Sequence, residues 1–146
     1  MADIERTAEA TWTGDLRGGQ GQISSASGVL HGVPYSFATR FEQARGTNPE
    51  ELIAAAHAAC YSMALTATLV RQRHQPQRVQ TRAVCTLAPQ PGGGFKITGM
   101  RLETRAQVPG LDETTLREIA QQAEAACPVS NALRSGVPIE LHASLG

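Results

Sequence analysis

Net charge is the first thing this sequence lacks. Its 13 Lys and Arg side chains balance 13 Asp and Glu, so no long-range field draws the chain to nucleic acid or to anionic lipid. The expected partners are small molecules and proteins, with no nucleic acid and no membrane among them. The N-terminal run MADIERTAEATWTGD carries acids and no apolar h-region. With no apolar run expected to be long enough to cross a bilayer, the reading is a cytoplasmic protein. Cysteines number only three, too few and too odd a count for a stapled secreted scaffold. In a reducing compartment, paired cysteines are more often catalytic or redox-active than structural. No CxxC or HExxH spacing is present, and GDLRGGQG lacks the Gly-Lys-Ser/Thr ending of a phosphate loop and opens no helix, so it reads as a plain hairpin loop.

What is present organises into one domain over residues 1–146, long enough for a core but not for two independent ones. Short β-like runs alternate with turn clusters over the first 45 residues and predict a meander of three strands, with YSFATRFEQA extended. Thr47-Asn48-Pro49-Glu50-Glu51 is a helix start, with Thr or Asn as cap, Pro in the first turn and acids at the positive end of the dipole. That helix is predicted to run to about Arg73. Val79, Thr81, Ala83, Cys85 and Leu87 alternate as a strand, Phe95 to Val108 reads as another, and Val137 to Leu145 as the last. Between the last two, Asp112 caps a second helix, which Pro128 ends or kinks. The order of elements predicts an α+β fold with a largely antiparallel sheet.

Two cysteines fall on the apolar stripes of these helices. The first stripe reads Ile53, Ala56, His57, Cys60, Ala64, Ala67, and the second Leu116, Ile119, Ala120, Ala123, Cys127. Packing by these faces brings the sulfurs close. A bond needs Cα atoms within roughly 7 Å, against the usual helix spacing of about 8 to 10 Å, and the alanines of the first helix permit such an approach. Either cysteine alone reads as a small buried hydrophobe or as a nucleophile. Together they suit a peroxidatic cycle, in which a thiolate becomes a sulfenic acid and a second thiol converts it to a disulfide. Such a cycle calls for no metal and no cofactor. Cys85, mid-strand, reads as core packing.

A buried thiol stays protonated unless a fixed cation lowers its pKa. His57, one turn before Cys60, is one candidate, or else a neutral histidine satisfied at an interface. Arg40 is another, either a solvated strand residue or a guanidinium held by Glu50 or Glu51 so as to bridge thiolate and carboxylate. Ten helical positions, about 15 Å, separate Glu50 from Cys60, so a cluster of Arg40, Glu50 and Cys60 requires a chain fold-back or a partner subunit. A metal site is the alternative use of His57, Cys60 and Cys127, three ligands with no fourth. Phe37, Tyr61, Met63 and Leu65 line either an apolar pocket or simply core.

The runs TWTGDL, SGVLHGVPYSFATRFE, GTNPEELIAAAHAACYSMAL, VPGLD and AEAACPVS, which span nearly the whole length, resemble the OsmC/Ohr family, and its OsmC branch in particular. The resemblance implies a thiol-dependent peroxidase acting on organic hydroperoxides, built as an intertwined homodimer with two central helices on sheets shared by both chains. It implies Cys60 as the peroxidatic and Cys127 as the resolving cysteine, joined in an intrachain disulfide. Arg40 then stabilises the thiolate and Glu50 orients Arg40, both supplied by the other chain. Arg17 occupies the early glycine loop from which Ohr-branch members take their arginine. A dithiol reductant, lipoyl-type in this family, is implied for reopening the disulfide. The rival expectation is a redox-sensing or ligand-binding module that forms the disulfide without turnover.

Overall fold

Residues Met1–Gly146 are all described by the computed structural model, in which the chain divides into two compact units, Met1–Leu52 and Ile53–Gly146. The boundary falls within a helix that runs across it.

The first unit begins with the expected antiparallel meander: β1 (Ala8–Thr13), β2 (Gln20–Ser25) and β3 (Val33–Tyr35), in that order. The glycine-rich segment is the β1–β2 loop, closed by Gly18 N donating to Asp15 Oδ1 at 2.6 Å and by the Trp12 indole donating to the carbonyls of Gly14 and Asp15. Gly21 admits no side chain, because a Cβ there would stand 2.3 Å from Tyr35 Cε1. The ring that needs this space also packs against Trp12, at 5.5 Å between centroids.

After β3 the structure departs from expectation. The segment expected to be extended forms a short helix, α1 (Phe37–Phe41), and the reason is local. Ser36 Oγ accepts from the Thr39 amide at 3.3 Å while Thr39 Oγ1 accepts from the Ser36 amide at 2.9 Å, a reciprocal cap that satisfies two donors of the first turn. Phe37 and Phe41, four apart, then stack on one face with centroids 4.9 Å apart.

Asn48 caps α2 (Pro49–Arg71): its Oδ1 accepts from the Glu51 amide at 2.8 Å, and its Nδ2 donates to the Thr39 carbonyl at 3.0 Å. The helix ends two residues short of the expected Arg73, which takes a positive φ of 65°. Contrary to expectation, α2 is long and apolar enough by length and composition to cross a membrane, with a mean hydropathy of 1.5 over its most apolar stretch. Its alanines keep that average high although Ser62, Thr66 and Thr68 interrupt any continuous apolar run.

Within the second unit, β4 (Arg78–Pro89) and β5 (Phe95–Gln107) form a long antiparallel hairpin. The polypeptide then crosses through α3 (Glu113–Ala126) and α4 (Pro128–Arg134) to β6 (Ile139–Leu145), which joins β5 in parallel. The sheet is therefore antiparallel except at that edge, where the helical crossover supplies the long return that parallel pairing needs. Asp112 caps α3 as expected, accepting from the Thr115 amide at 2.9 Å. Pro128 does more than end α3. It opens α4 from the first helical position, where its missing N–H costs nothing.

The core lies between one face of this sheet and the inner faces of α2 and α3. It contains Tyr61, Leu65, Leu69, Leu102, Ala106, Leu116, Ile119, Ala120 and Ala123. The α3 stripe matches the sequence pattern. On α2 the buried face is rotated: His57, Tyr61, Leu65, Thr68 and Leu69 point inward, Cys60 and Ala64 flank them, and Ala56 and Ala67 are exposed. Large side chains outcompete alanines for the interior because each removes more apolar area from water. Cys85 pairs with Met100 across β4 and β5 but is only half-buried.

Candidate active site

In the first unit, the charged pair expected from the sequence is formed. Arg40 reaches from α1 to Glu50 in the first turn of α2, with Nη2 donating to Oε1 at 2.8 Å and Nε donating to Oε1 and Oε2 at 3.2 and 3.3 Å. The carboxylate is 9% exposed and the guanidinium 38%, so the acid is fixed in place while the cation keeps an open side. Such a fork binds a second anion well, since the carboxylate takes only two of its five N–H donors, the Nε hydrogen shared between both oxygens and one from Nη2. Glu51 is engaged elsewhere, accepting from Thr47 Oγ1 at 2.8 Å. Arg17, the other candidate cation, stacks over the Phe37 ring at 4.7 Å from its centroid.

In the second unit the two cysteines meet. Cys127 Sγ lies 3.4 Å from Cys60 Sγ, both as free thiols, with Cys127 fully buried and Cys60 partly exposed. Position explains the difference. Cys60 flanks the inner stripe of α2, whereas Cys127 ends α3 and caps α4, where its sulfur accepts the Ser130 amide at 3.5 Å. Burial pushes the Cys60 thiol up, the Val129 backbone amide pulls it back, and the Cys127 sulfur raises it further.

His57 was a candidate activator of Cys60 or a metal ligand. Its ring is fully buried, and Nε2 lies 2.8 Å from Ser130 Oγ, while Nδ1 has no hydrogen-bond partner. Burial holds its pKa below the ordinary value, outweighing the upward pull of Glu124, so the ring is neutral at neutral pH. With Nε2 committed to Ser130, His57, Cys60 and Cys127 do not converge as a ligand set, and no other group of His, Cys, Asp or Glu side chains does. Tyr61, next in sequence to Cys60, donates its hydroxyl to the Ala120 carbonyl at 3.0 Å and is core, as is Leu65. Met63 faces outward. Ser130 was missed in the sequence. The signal was Cys-Pro-x-Ser, a cap with proline at the first helical position, which sets Ser130 one turn beyond Cys127.

The first unit thus holds a fork-bound arginine, and the second holds two free thiols 3.4 Å apart. The chain matches the family described as OsmC-like protein over residues 42–142. It is 44% identical over 137 residues to peroxiredoxin OsmC of Escherichia coli K12, covering 94% of this chain and 95% of that protein. The chain belongs to the OsmC family. Other relatives are named for hydroperoxide resistance: the organic hydroperoxide resistance protein of Xanthomonas axonopodis pv. citri is 35% identical over 97 residues, 66% of each chain. The crystal structure of the organic hydroperoxide resistance protein OhrB of Bacillus subtilis superposes with a TM-score of 0.74 at 31% identity, covering 94% of this chain and 98% of that one. The expected α+β OsmC fold is therefore established for this chain.

Proposed function

We propose that this OsmC-family chain is a thiol-dependent peroxidase that reduces organic hydroperoxides to alcohols. The observation that carries the reading is the 3.4 Å approach of Cys60 and Cys127, in a chain whose relatives are named for peroxiredoxin activity and organic hydroperoxide resistance. The Cys60 thiolate attacks the distal peroxide oxygen; the O–O bond breaks, Cys60 becomes a sulfenic acid, and the alkoxide leaves to take up a proton as the alcohol. Cys127 then attacks the Cys60 sulfur. An intrachain disulfide forms, and the sulfenic hydroxyl departs with the thiol proton as water. A dithiol reductant, of lipoyl type, reopens the disulfide by exchange. The cycle uses no cofactor and no metal, and we assign it to the cytoplasm, where thiols are kept reduced.

Arg40 is the proposed partner of the thiolate and of the developing alkoxide, with Glu50 fixing its orientation. Because about 15 Å of helix separates Glu50 from Cys60, we assign the Arg40 and Glu50 pair at each site to the second chain of a homodimer, whose two sites are shared between subunits. What supports the dimer is the outer face of α2. Met63 is 75% exposed and Val70 45%, and with Ala67 and Val79 they line an open apolar hollow of about 580 Å³. In the assembled dimer the 146 residues act as one OsmC-like domain.

The test is intact mass of Cys127→Ser after one equivalent of cumene hydroperoxide, with peptide mapping. One added oxygen on Cys60, gained faster than with hydrogen peroxide, supports the assignment. No oxidation, or oxygen on Cys85, defeats it, and a disulfide in the unsubstituted chain without sustained peroxide consumption makes the protein a redox sensor instead.

A further inference from the structure

We propose that His57 and Ser130 form a latch that positions the resolving thiol, an inference that rests on the two-cysteine cycle above. Two helix turns face each other here. On α2, His57 and Cys60 stand three residues apart; at the start of α4, Cys127 and Ser130 do the same. The cross-contacts pair them corner to corner: Cys60 Sγ with Cys127 Sγ at 3.4 Å, and His57 Nε2 with Ser130 Oγ at 2.8 Å. Ser130 belongs to both halves of the device. Its hydroxyl holds the imidazole, and its backbone amide donates to Cys127 Sγ at 3.5 Å.

The imidazole is fully buried and makes one hydrogen bond, to a residue 73 positions away, with Nδ1 left unpartnered. A side chain this polar gains little stability for the fold from such a place, since a buried nitrogen left unpaired has lost its hydrogen bond to water. What the bond does secure is the distance between the α2 turn carrying Cys60 and the α4 turn carrying Cys127. Resolution depends on that distance. Sulfur must attack sulfur as water leaves, reacting atoms do so from about 3–3.5 Å, and a misplacement of 1 Å lowers the rate by about 100-fold. Attack of Cys60 on the hydroperoxide needs no such sulfur–sulfur distance, and α4 enters it only through the Val129 amide that favours the thiolate. His57 and Ser130 are therefore positioning residues whose main effect falls on the second step.

The experiment is a quenched-flow reaction of the full chain with cumene hydroperoxide, in the presence and absence of dimedone, comparing Ser130→Ala and His57→Leu with the unsubstituted protein. Peroxide consumption in the first turnover is expected within about twofold of the unsubstituted protein. Disulfide formation is expected to slow by roughly 10- to 100-fold, with the dimedone adduct of Cys60 accumulating and, under excess hydroperoxide, its sulfinic acid. His57→Gln, whose amide can donate or accept near the position of Nε2, restores most of the disulfide rate. Ser130→Ala removes a single oxygen and serves if His57→Leu fails to fold. Disulfide formation as fast as in the unsubstituted protein, or equal slowing of both steps, overturns the latch. Absence of any Cys60 oxidation in the unsubstituted protein overturns the two-cysteine cycle and the latch with it, an outcome recognisable because neither a disulfide nor a dimedone adduct then forms.

Discussion

Glu50 Oε1 sits 2.8 Å from Arg40 Nη2, in an ion pair whose acid is nearly buried and whose base is open on one side. A carboxylate in that position orients the guanidinium without consuming it, and the two have separable consequences.

Removing the cation should be visible at Cys60. Burial pushes this thiol up, and in the proposed dimer Arg40 supplies the opposing charge, worth about 1–3 pH units at close range. In Arg40→Met, the midpoint of iodoacetamide alkylation against pH should therefore move upward by about that amount, with peroxide turnover at neutral pH falling roughly tenfold per unit. An unmoved midpoint would transfer the role to Arg17 or another cation. Glu50→Gln should shift the midpoint less, because the amide still accepts from Arg40.

Tyr61 provides a measure of the core beneath the site. Its hydroxyl is fully buried and donates to the Ala120 carbonyl at 3.0 Å. Tyr61→Phe removes one net hydrogen bond, about 1 kcal/mol, with little cavity. Leu65→Ala, in the next turn of the same stripe and also fully buried, should cost about 2–5 kcal/mol. Urea unfolding monitored by circular dichroism would order the two, and the reverse order would remove Leu65 from the core.

Much of this was legible before the structure. Asn48-Pro49 and Asp112 announced both long helices, because capping chemistry is local and depends on residue type. The two cysteines were legible as a pair because each interrupts an apolar stripe. Three features were hidden. The stripe of α2 was set out of phase by alanines, which satisfy a helical period on any face, and the true inner face was set by Tyr61, Leu65 and Leu69. Tyr35, Phe37, Thr39 and Phe41 alternate like a strand, and only the reciprocal cap of Ser36 and Thr39 turns that run into α1. Pro128 was read as a terminator, which concealed α4 and with it Ser130. The chemistry of a guanidinium left its partner open between Glu50 and Glu51, and the choice of Glu50 rested on family likeness, since no local period connects a short helix to the first turn of the next.

His57 should make stability depend on pH in a definite direction. Burial lowers its pKa below the ordinary value of about 6.5. Above that value the ring is neutral in folded and unfolded chains alike, and the group has no effect. As pH falls through about 6.5 the unfolded chain binds a proton that the folded chain refuses, so stability declines until the pH drops below the folded pKa, where both are protonated. His57→Gln should remove this part of the acid sensitivity. Melting temperatures of the two proteins from pH 7.5 to 5 should accordingly converge as the pH falls if His57→Gln starts lower, and parallel curves would mean that the imidazole takes up its proton as readily in the fold as outside it.

The outer face of α2 yields the prediction with the widest reach. Met63 and Val70 are exposed, large and apolar, on the same helix as Cys60, and an apolar face of this kind is ordinarily covered by a partner. If a second copy covers it, Met63→Glu buries an unpaired carboxylate at the interface, at a cost of several kcal/mol, and the dimer dissociation constant should rise by more than about 100-fold. Sedimentation velocity at micromolar concentration should then show monomer where the unsubstituted protein is dimeric. Peroxide turnover should fall in step, because the proposed thiolate partner Arg40 arrives from the other chain. A monomeric variant with undiminished turnover would place the whole site within one chain, and an unaffected dimer would put the interface on another face.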